Sequence, residues 1–210
     1  MLDIVFSMRH NVSTESLPSR QTEMTLKRDI DSNELNESTT QTRPNLLDPT
    51  ATQLIATAYH EAGHAVMATI LGRKIKKVTV KPRQIQTGGI RLGVCELGAG
   101  RDRSSKDALE DEALILLAGM VAEAKLTGHY CKLGASQDLR QASAILQARG
   151  GSESQTQRLL QRILNKAEHL LSGPVYVEAI EIVAKELVDR TVISGRTVRH
   201  IVSELIARKR

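Results

Sequence analysis

Residues 58–66 read Ala58-Tyr59-His60-Glu61-Ala62-Gly63-His64-Ala65-Val66, and they decide how the rest of the chain is understood. Apolar residues at Leu54, Ile55, Ala58, Ala62, Ala65, Val66 and Ile70 recur at helical spacing, so a helix is expected from about Thr52 to Leu71, stopped by Gly72. On that helix His60 and His64 stand four residues apart and project from one face on successive turns. Two imidazoles so placed can hold one zinc ion, and the neighbouring Glu61 can take a proton from water at the same site. The pattern H-E-x-x-H supplies two ligands and a base, and it calls for a third ligand from elsewhere. Gly63 adds a second signal. Glycine inside a helix costs about 1 kcal/mol relative to Ala, which points to close approach of another segment beside the histidines.

Working outward, Lys76-Lys77-Val78-Thr79-Val80 alternates as a strand and ends at Pro82. Gly88-Gly89 introduces a second extended run, Ile90–Leu97, and the two runs are expected to share a small sheet. Ile90, Leu92 and Val94 are candidate substrate contacts, because an edge strand can accept an extended peptide as a further strand. From Ser104 the pattern turns helical. Ser104 with Asp107 is a capping-box candidate before a helix over Ala108–Thr127, which Gly128 ends. Further helices are expected at about Gln137–Arg149, from a Ser152/Gln155 cap to Gly173-Pro174, at Val175–Arg190 and, after Ser194, at Gly195–Arg208. The fold class is therefore mainly α: a helical metallopeptidase domain with a small β-sheet inserted after the active-site helix. Four residues compete for the third-ligand position on spacing alone: Glu123, His129, Cys131 and Asp138.

Composition bounds the alternatives. Aromatic residues make up 2% of the 210 residues, with no Trp, so the core must come from Leu, Ile, Val, Ala and Met. A formal net charge of +5 is mild, and with no aromatic-interleaved basic patch, nucleic acid is not expected as a partner. Cys95 and Cys131 are too few for a disulfide framework and suit a reducing compartment. No stretch reaches the roughly 18 apolar residues of a membrane span, and no secretion signal is read; a cytoplasmic location is expected. Residues 1–50 are polar, free of Gly and unpatterned, and are expected to form a mobile tail ahead of a peptidase domain at 51–210. A short helix around Glu23–Arg28 is allowed there.

Several of these stretches together resemble the peptidase domain of the FtsH family of ATP-dependent zinc metalloproteases. The resemblance runs through residues 58–66, Lys77-Val78-Thr79-Val80-Lys81-Pro82-Arg83, Leu117-Ala118-Gly119-Met120-Val121-Ala122-Glu123 and Gly134-Ala135-Ser136-Gln137-Asp138-Leu139. It implies Asp138 as third zinc ligand beside His60 and His64, Glu61 as general base, and Glu123 as a residue supporting the ligands or substituting for one. Two histidines and a carboxylate would also suit iron or cobalt.

The chain departs from the family in two ways. Met120 stands where Arg is frequent, and Glu123-Ala124 where two acids are frequent. No G-x-x-x-x-G-K-[ST] nucleotide loop occurs in the 210 residues, so unfolding driven by ATP is not expected of them. The implied activity is zinc-dependent endopeptidase cleavage of peptides or unfolded protein segments. A catalytically weak or inactive FtsH-like peptide-binding or regulatory module is the alternative. A homo-oligomer (a hexamer by resemblance) or a separate ATPase partner is the assembly implied.

Overall fold

The computed structural model describes residues 49–84, 90–149 and 151–209. The expected tail and the Glu23–Arg28 helix lie outside them, except for the first residues of the opening helix. Among the described residues, six helices and five strands follow in the order α1 (Pro49–Ile70), β1 (Arg73–Thr79), β2 (Arg83–Gln84), β3 (Ile90–Arg91), β4 (Val94–Arg101), α2 (Ala108–Thr127), α3 (Ser136–Gln147), α4 (Glu153–Leu171), α5 (Pro174–Arg190), β5 (Val192–Ser194) and α6 (Gly195–Arg208). The mainly α expectation agrees with this order.

α1 and α2 form the axis of the domain. α1 turns Ala58, Ala62, Ala65, Val66, Met67 and Ala68 entirely out of solvent. α2 is buried on nearly every side from Ala113 to Glu123, the mark of a helix wrapped by others rather than lying on a surface. Small side chains let these two helices approach closely. A Cβ on Gly63 would stand 2.4 Å from the carbonyl oxygen of Ala118 and 2.6 Å from the Ala122 Cβ. That contact is the physical reason for the glycine in the zinc-motif helix: the neighbour is backbone, which cannot swing aside. α3 and α4 pack on α2, and α5 packs on α1. The core is aliphatic, built on Leu114, Leu117, Leu146, Ile163, Leu171, Ile180 and Leu187, and among the described residues no large ring is fully buried.

Local chemistry sets most of the element ends. Gly72 and Gly128 take left-handed backbone, φ +68° and +78°, and stop α1 and α2 where a residue with a Cβ would be strained. Ser152 and Gln155 form the reciprocal capping box at the start of α4, and Ser194 caps α6. The cap of α2 differs from expectation. Asp107 itself accepts from the Glu110 N–H at 3.0 Å, while the Ser105 hydroxyl accepts from the Asp107 N–H at 3.1 Å. Asp107 outcompetes Ser104 because its carboxylate reaches the N3 donor directly and carries the charge the helix N-terminus favours.

The expected sheet exists, with two corrections. Its order is β4-β1-β5, antiparallel throughout, with Val78 opposite Cys95 on one side and Ile193 on the other. β5 was not anticipated. It is only three residues long, and it follows a Thr191 held at φ +65° whose carbonyl accepts from the Val80 N–H. The run Ile90–Leu97 is also not one strand. Ile90–Arg91 pairs with Arg83–Gln84 in a separate two-stranded ribbon, Leu92 and Gly93 belong to neither strand, and β4 begins at Val94. The break falls where Gly93 passes over α1.

Candidate metal centre

α1 contributes His60, Glu61 and His64, as helical spacing requires. The His60 and His64 rings stand edge to face, centroids 4.7 Å apart. α2 then determines which way each ring points. The His64 Nδ1 donates to the Ile115 carbonyl oxygen at 2.7 Å, and the His60 Nδ1 lies 2.9 Å from the Glu123 Oε2. A carbonyl can only accept, so the His64 proton sits on Nδ1 and its Nε2 presents a lone pair. The His60 Nε2 in turn faces the Asp138 Oδ2, so without a cation both nitrogens of this ring point at carboxylate oxygens; once the ring is neutral, with Glu123 accepting at Nδ1, its Nε2 presents a lone pair too.

Both Nε2 atoms face Asp138, which sits in the first turn of α3. Its Oδ2 is 3.0 Å from the His60 Nε2 and 3.4 Å from the His64 Nε2. One ligand atom from each of His60, His64 and Asp138 lies within 4.8 Å of the others, and all three residues are largely buried. Two neutral imidazoles and a carboxylate converging in a buried place would present three acceptors, which leaves a demand for positive charge that either a proton on His60 or a cation can meet. The electrostatics express the same demand. Burial alone would lower the His60 pKa, but Asp138 and Glu123, helped by Glu61, push it up to about 10. Burial would raise Asp138, yet the two imidazoles hold its carboxyl well below the usual range. A divalent cation satisfies that demand without a proton, and the set of two imidazoles and a carboxylate fits zinc.

A second feature shapes the space. Gly119 of α2 faces the two rings, and a Cβ there would stand 2.5 Å from the His64 Nε2 and 2.6 Å from the His60 Nε2. The room between the donor atoms therefore exists because residue 119 has no side chain. Gly119 was legible only as a glycine inside an apolar helix, the signal already used for Gly63, and its aim at the histidines was not.

The other three third-ligand candidates fall elsewhere. Glu123 meets His60 on the far side of the ring from Asp138. The His129 ring pairs with the Thr127 carbonyl of its own turn, and the Cys131 Sγ accepts from the Gly134 N–H. Spacing had left these open; the packing of α2 on α1 and of α3 on α2 brings Asp138, of the four, to both Nε2 atoms.

Glu61 is 4% exposed and lies beneath the segment that leads into β4. A Cβ on Gly93 would come within 2.7 Å of its Cγ and Oε1, so backbone passes directly over the carboxylate. Of the three expected substrate contacts, Leu92 is 40% exposed and Val94 half-buried at the head of β4. The Ile90 side chain lies outside the described residues.

The chain is similar to known proteins over this whole site. Residues 48–150 match the model of peptidase family M41, a span that encloses His60, Glu61, His64, Gly119, Glu123 and Asp138. The ATP-dependent zinc metalloprotease FtsH of Helicobacter pylori is 27% identical over 185 residues, covering 70% of this chain and 29% of the relative. FtsH 1 of Rhodopirellula baltica is 40% identical over 93 residues, covering 42% of this chain and 13% of the relative. FtsH 4 of Sorangium cellulosum is 38% identical over 94 residues, covering 42% and 14%. The chain thus spans less than a third of the length of these relatives. Among the described residues no helix is long and apolar enough to cross a membrane.

Proposed function

The chain carries a peptidase domain of the FtsH family, peptidase family M41, and from that premise we propose that it is a zinc-dependent endopeptidase acting on peptides or unfolded protein segments. The observation that carries the reading is the convergence of two imidazole Nε2 atoms and one Asp138 oxygen, buried and within 4.8 Å of one another, with Glu61 on the same helix turn.

His60, His64 and Asp138 would hold the ion, with Ile115 and Glu123 fixing the imidazole tautomers from behind. Bound there, zinc supplies a Lewis acid that polarises a carbonyl and makes water acidic near neutral pH. Glu61 is the proton carrier of this scheme. Its carboxylate accepts the proton of the attacking water and returns it to the amide nitrogen as the peptide bond breaks. Burial under the Gly93 segment keeps that carboxylate in one place and shields it from bulk water. Among the described residues β4 lies at the end of the sheet order and pairs only with β1. Its outer edge, next to Glu61 through Gly93, is where an extended substrate would add as a strand, with Leu92 and Val94 against its side chains and Ile90 upstream.

The preference for unfolded substrate rests on width and work: an edge accepts one extended chain, and the 210 residues hold no nucleotide loop to drive unfolding. Any such work would come from outside them, from a linked or separate ATPase, and ring assembly is the corresponding oligomer. Turnover of a stably folded protein by this chain without ATP would defeat this part of the reading.

Glu61→Gln is the test of the hydrolytic reading. It keeps the size and burial of the side chain but not its basicity, so zinc content should stay at the wild-type level while cleavage of a fluorogenic peptide falls by about 10²–10⁴-fold. Unchanged cleavage in Glu61→Gln would remove Glu61 from the chemistry. A wild type that binds peptide and zinc but cleaves nothing would favour the regulatory module instead.

A further inference from the structure

α4 turns outward a stripe of side chains that the metal centre does not use. Gln155, Arg158, Leu159 and Arg162 recur at three- and four-residue spacing and share one face of the helix. With Arg149 and Gly151 of the α3–α4 connection they line a hollow of about 530 Å³, within the roughly 300–1,000 Å³ range of small-molecule sites.

The chemistry of this hollow is one-sided. Guanidinium groups offer donors only. The Gln155 Oε1 already accepts from the Ser152 N–H at 2.8 Å, so Gln155 has its amide NH₂ left to offer. Arg149 donates to Asp107. Arg158 and Arg162 form no ion pair among the described residues, and no carboxylate lines the hollow among them. With Arg149 already compensated by Asp107, Arg158 and Arg162 are the two cations of this concavity left without a counter-charge among the described residues, and they repel each other until an anion enters. The guanidinium fork matches phosphate oxygens two at a time, which a point charge does not. Leu159 adds an apolar patch for an organic body beside the anion.

We propose that this hollow is a second ligand site, built on residues that take no part in the metal centre, and that it binds a phosphate-bearing small molecule. It stands independently of the hydrolytic reading. Phosphate sets the affinity, through Arg158 and Arg162, and the Leu159 floor favours an organic phosphate over the inorganic ion.

Calorimetric titration of the full chain tests this, with phenyl phosphate, inorganic phosphate and neutral phenol as probes, on metal-free and zinc-loaded protein. The site predicts saturable one-to-one binding of phenyl phosphate with the same affinity in both metal states, weaker inorganic phosphate and no phenol. Arg158 and Arg162 are exposed, so R158A/R162A should fold normally and cleave peptide at the wild-type rate while binding phenyl phosphate at least about tenfold more weakly. The R158K/R162K pair should also lose affinity, because lysine keeps the charge but not the fork. K185A/K209A, which removes two charges from other surfaces, should bind as wild type does. No saturable binding to wild type would overturn the site. So would equal loss in K185A/K209A, full retention in R158K/R162K, or binding that needs zinc.

Discussion

Gly119→Ala isolates the metal centre from the rest of the fold. The added Cβ would lie 2.5 Å from the His64 Nε2 and 2.6 Å from the His60 Nε2, against a comfortable separation of roughly 3.5 Å. The overlap is therefore about 1 Å on two rings at once. Neither ring can simply rotate away: His64 is tied at Nδ1 to Ile115 and His60 to Glu123, both on α2 with residue 119. Ligand atoms must sit about 2.0–2.1 Å from zinc, and the methyl group takes that same space. Disturbing only the groups behind metal ligands already costs 10–100-fold in affinity. A direct clash with two ligands should thus cost at least about 100-fold, near 2.8 kcal/mol at 1.4 kcal/mol per decade.

The helix itself should not suffer, since Ala is favoured over Gly in a helix interior by up to about 1 kcal/mol. Competition with a chromophoric zinc chelator gives the affinity, and far-UV circular dichroism with thermal melting of metal-free protein gives the fold. The expected outcome is native helicity, a stability loss in metal-free protein of no more than about 1–3 kcal/mol from the overpacking, and zinc binding weakened about 100-fold or more. Gly119→Ala protein that takes up one zinc with wild-type affinity would refute the reasoning, because the space between the histidines would then not depend on the missing side chain.

Gly63→Ala should act on the fold rather than the metal: its Cβ would meet the Ala118 carbonyl at 2.4 Å, so urea denaturation should show a loss of about 1–3 kcal/mol, and an unchanged midpoint would contradict the close approach of α1 and α2. Gly93→Ala presses on Glu61 instead; zinc content should hold while kcat drops by about tenfold or more with little change in KM, since only the base is displaced, and a loss confined to KM would place Gly93 in substrate binding alone.

The His60 pKa, raised from 6.5 to about 10, carries a sign that can be checked. In metal-free protein the charged imidazole stabilises the fold fully below pH 6.5, and that contribution is lost as pH rises through about 10. Zinc needs the neutral ring, so uptake at pH 7.5 should release close to one proton per ion, measured by calorimetry in buffers of different ionisation enthalpy; no proton release would mean that His60 is already neutral there.

The helices and the zinc motif were legible because their causes are local. An apolar stripe at 3.6-residue spacing, Gly72 and Gly128 as stops, and the Ser152 and Ser194 caps all act within one or two turns, and the four-residue step from His60 to His64 is helix geometry alone. Even the glycine at 63 announced a neighbour. What no local rule contained was the partner's identity. Asp138 lies 78 residues from His60, and nothing in its spacing distinguished it from Glu123, His129 or Cys131; resemblance pointed to it, and the packing of α3 on α2 delivers its carboxylate to both rings. The same holds for Gly119, whose place is set by α2 lying against α1, and for the split of Ile90–Leu97, where β-propensity favoured one strand but the backbone breaks to cross Glu61. Strand β5 was invisible because three residues carry too little pattern, and only the edge of β1 gives them hydrogen bonds. Periodicity records the forces along a single helix or strand, whereas a site is made where separate elements meet, and that meeting depends on the shapes of side chains far apart in the chain.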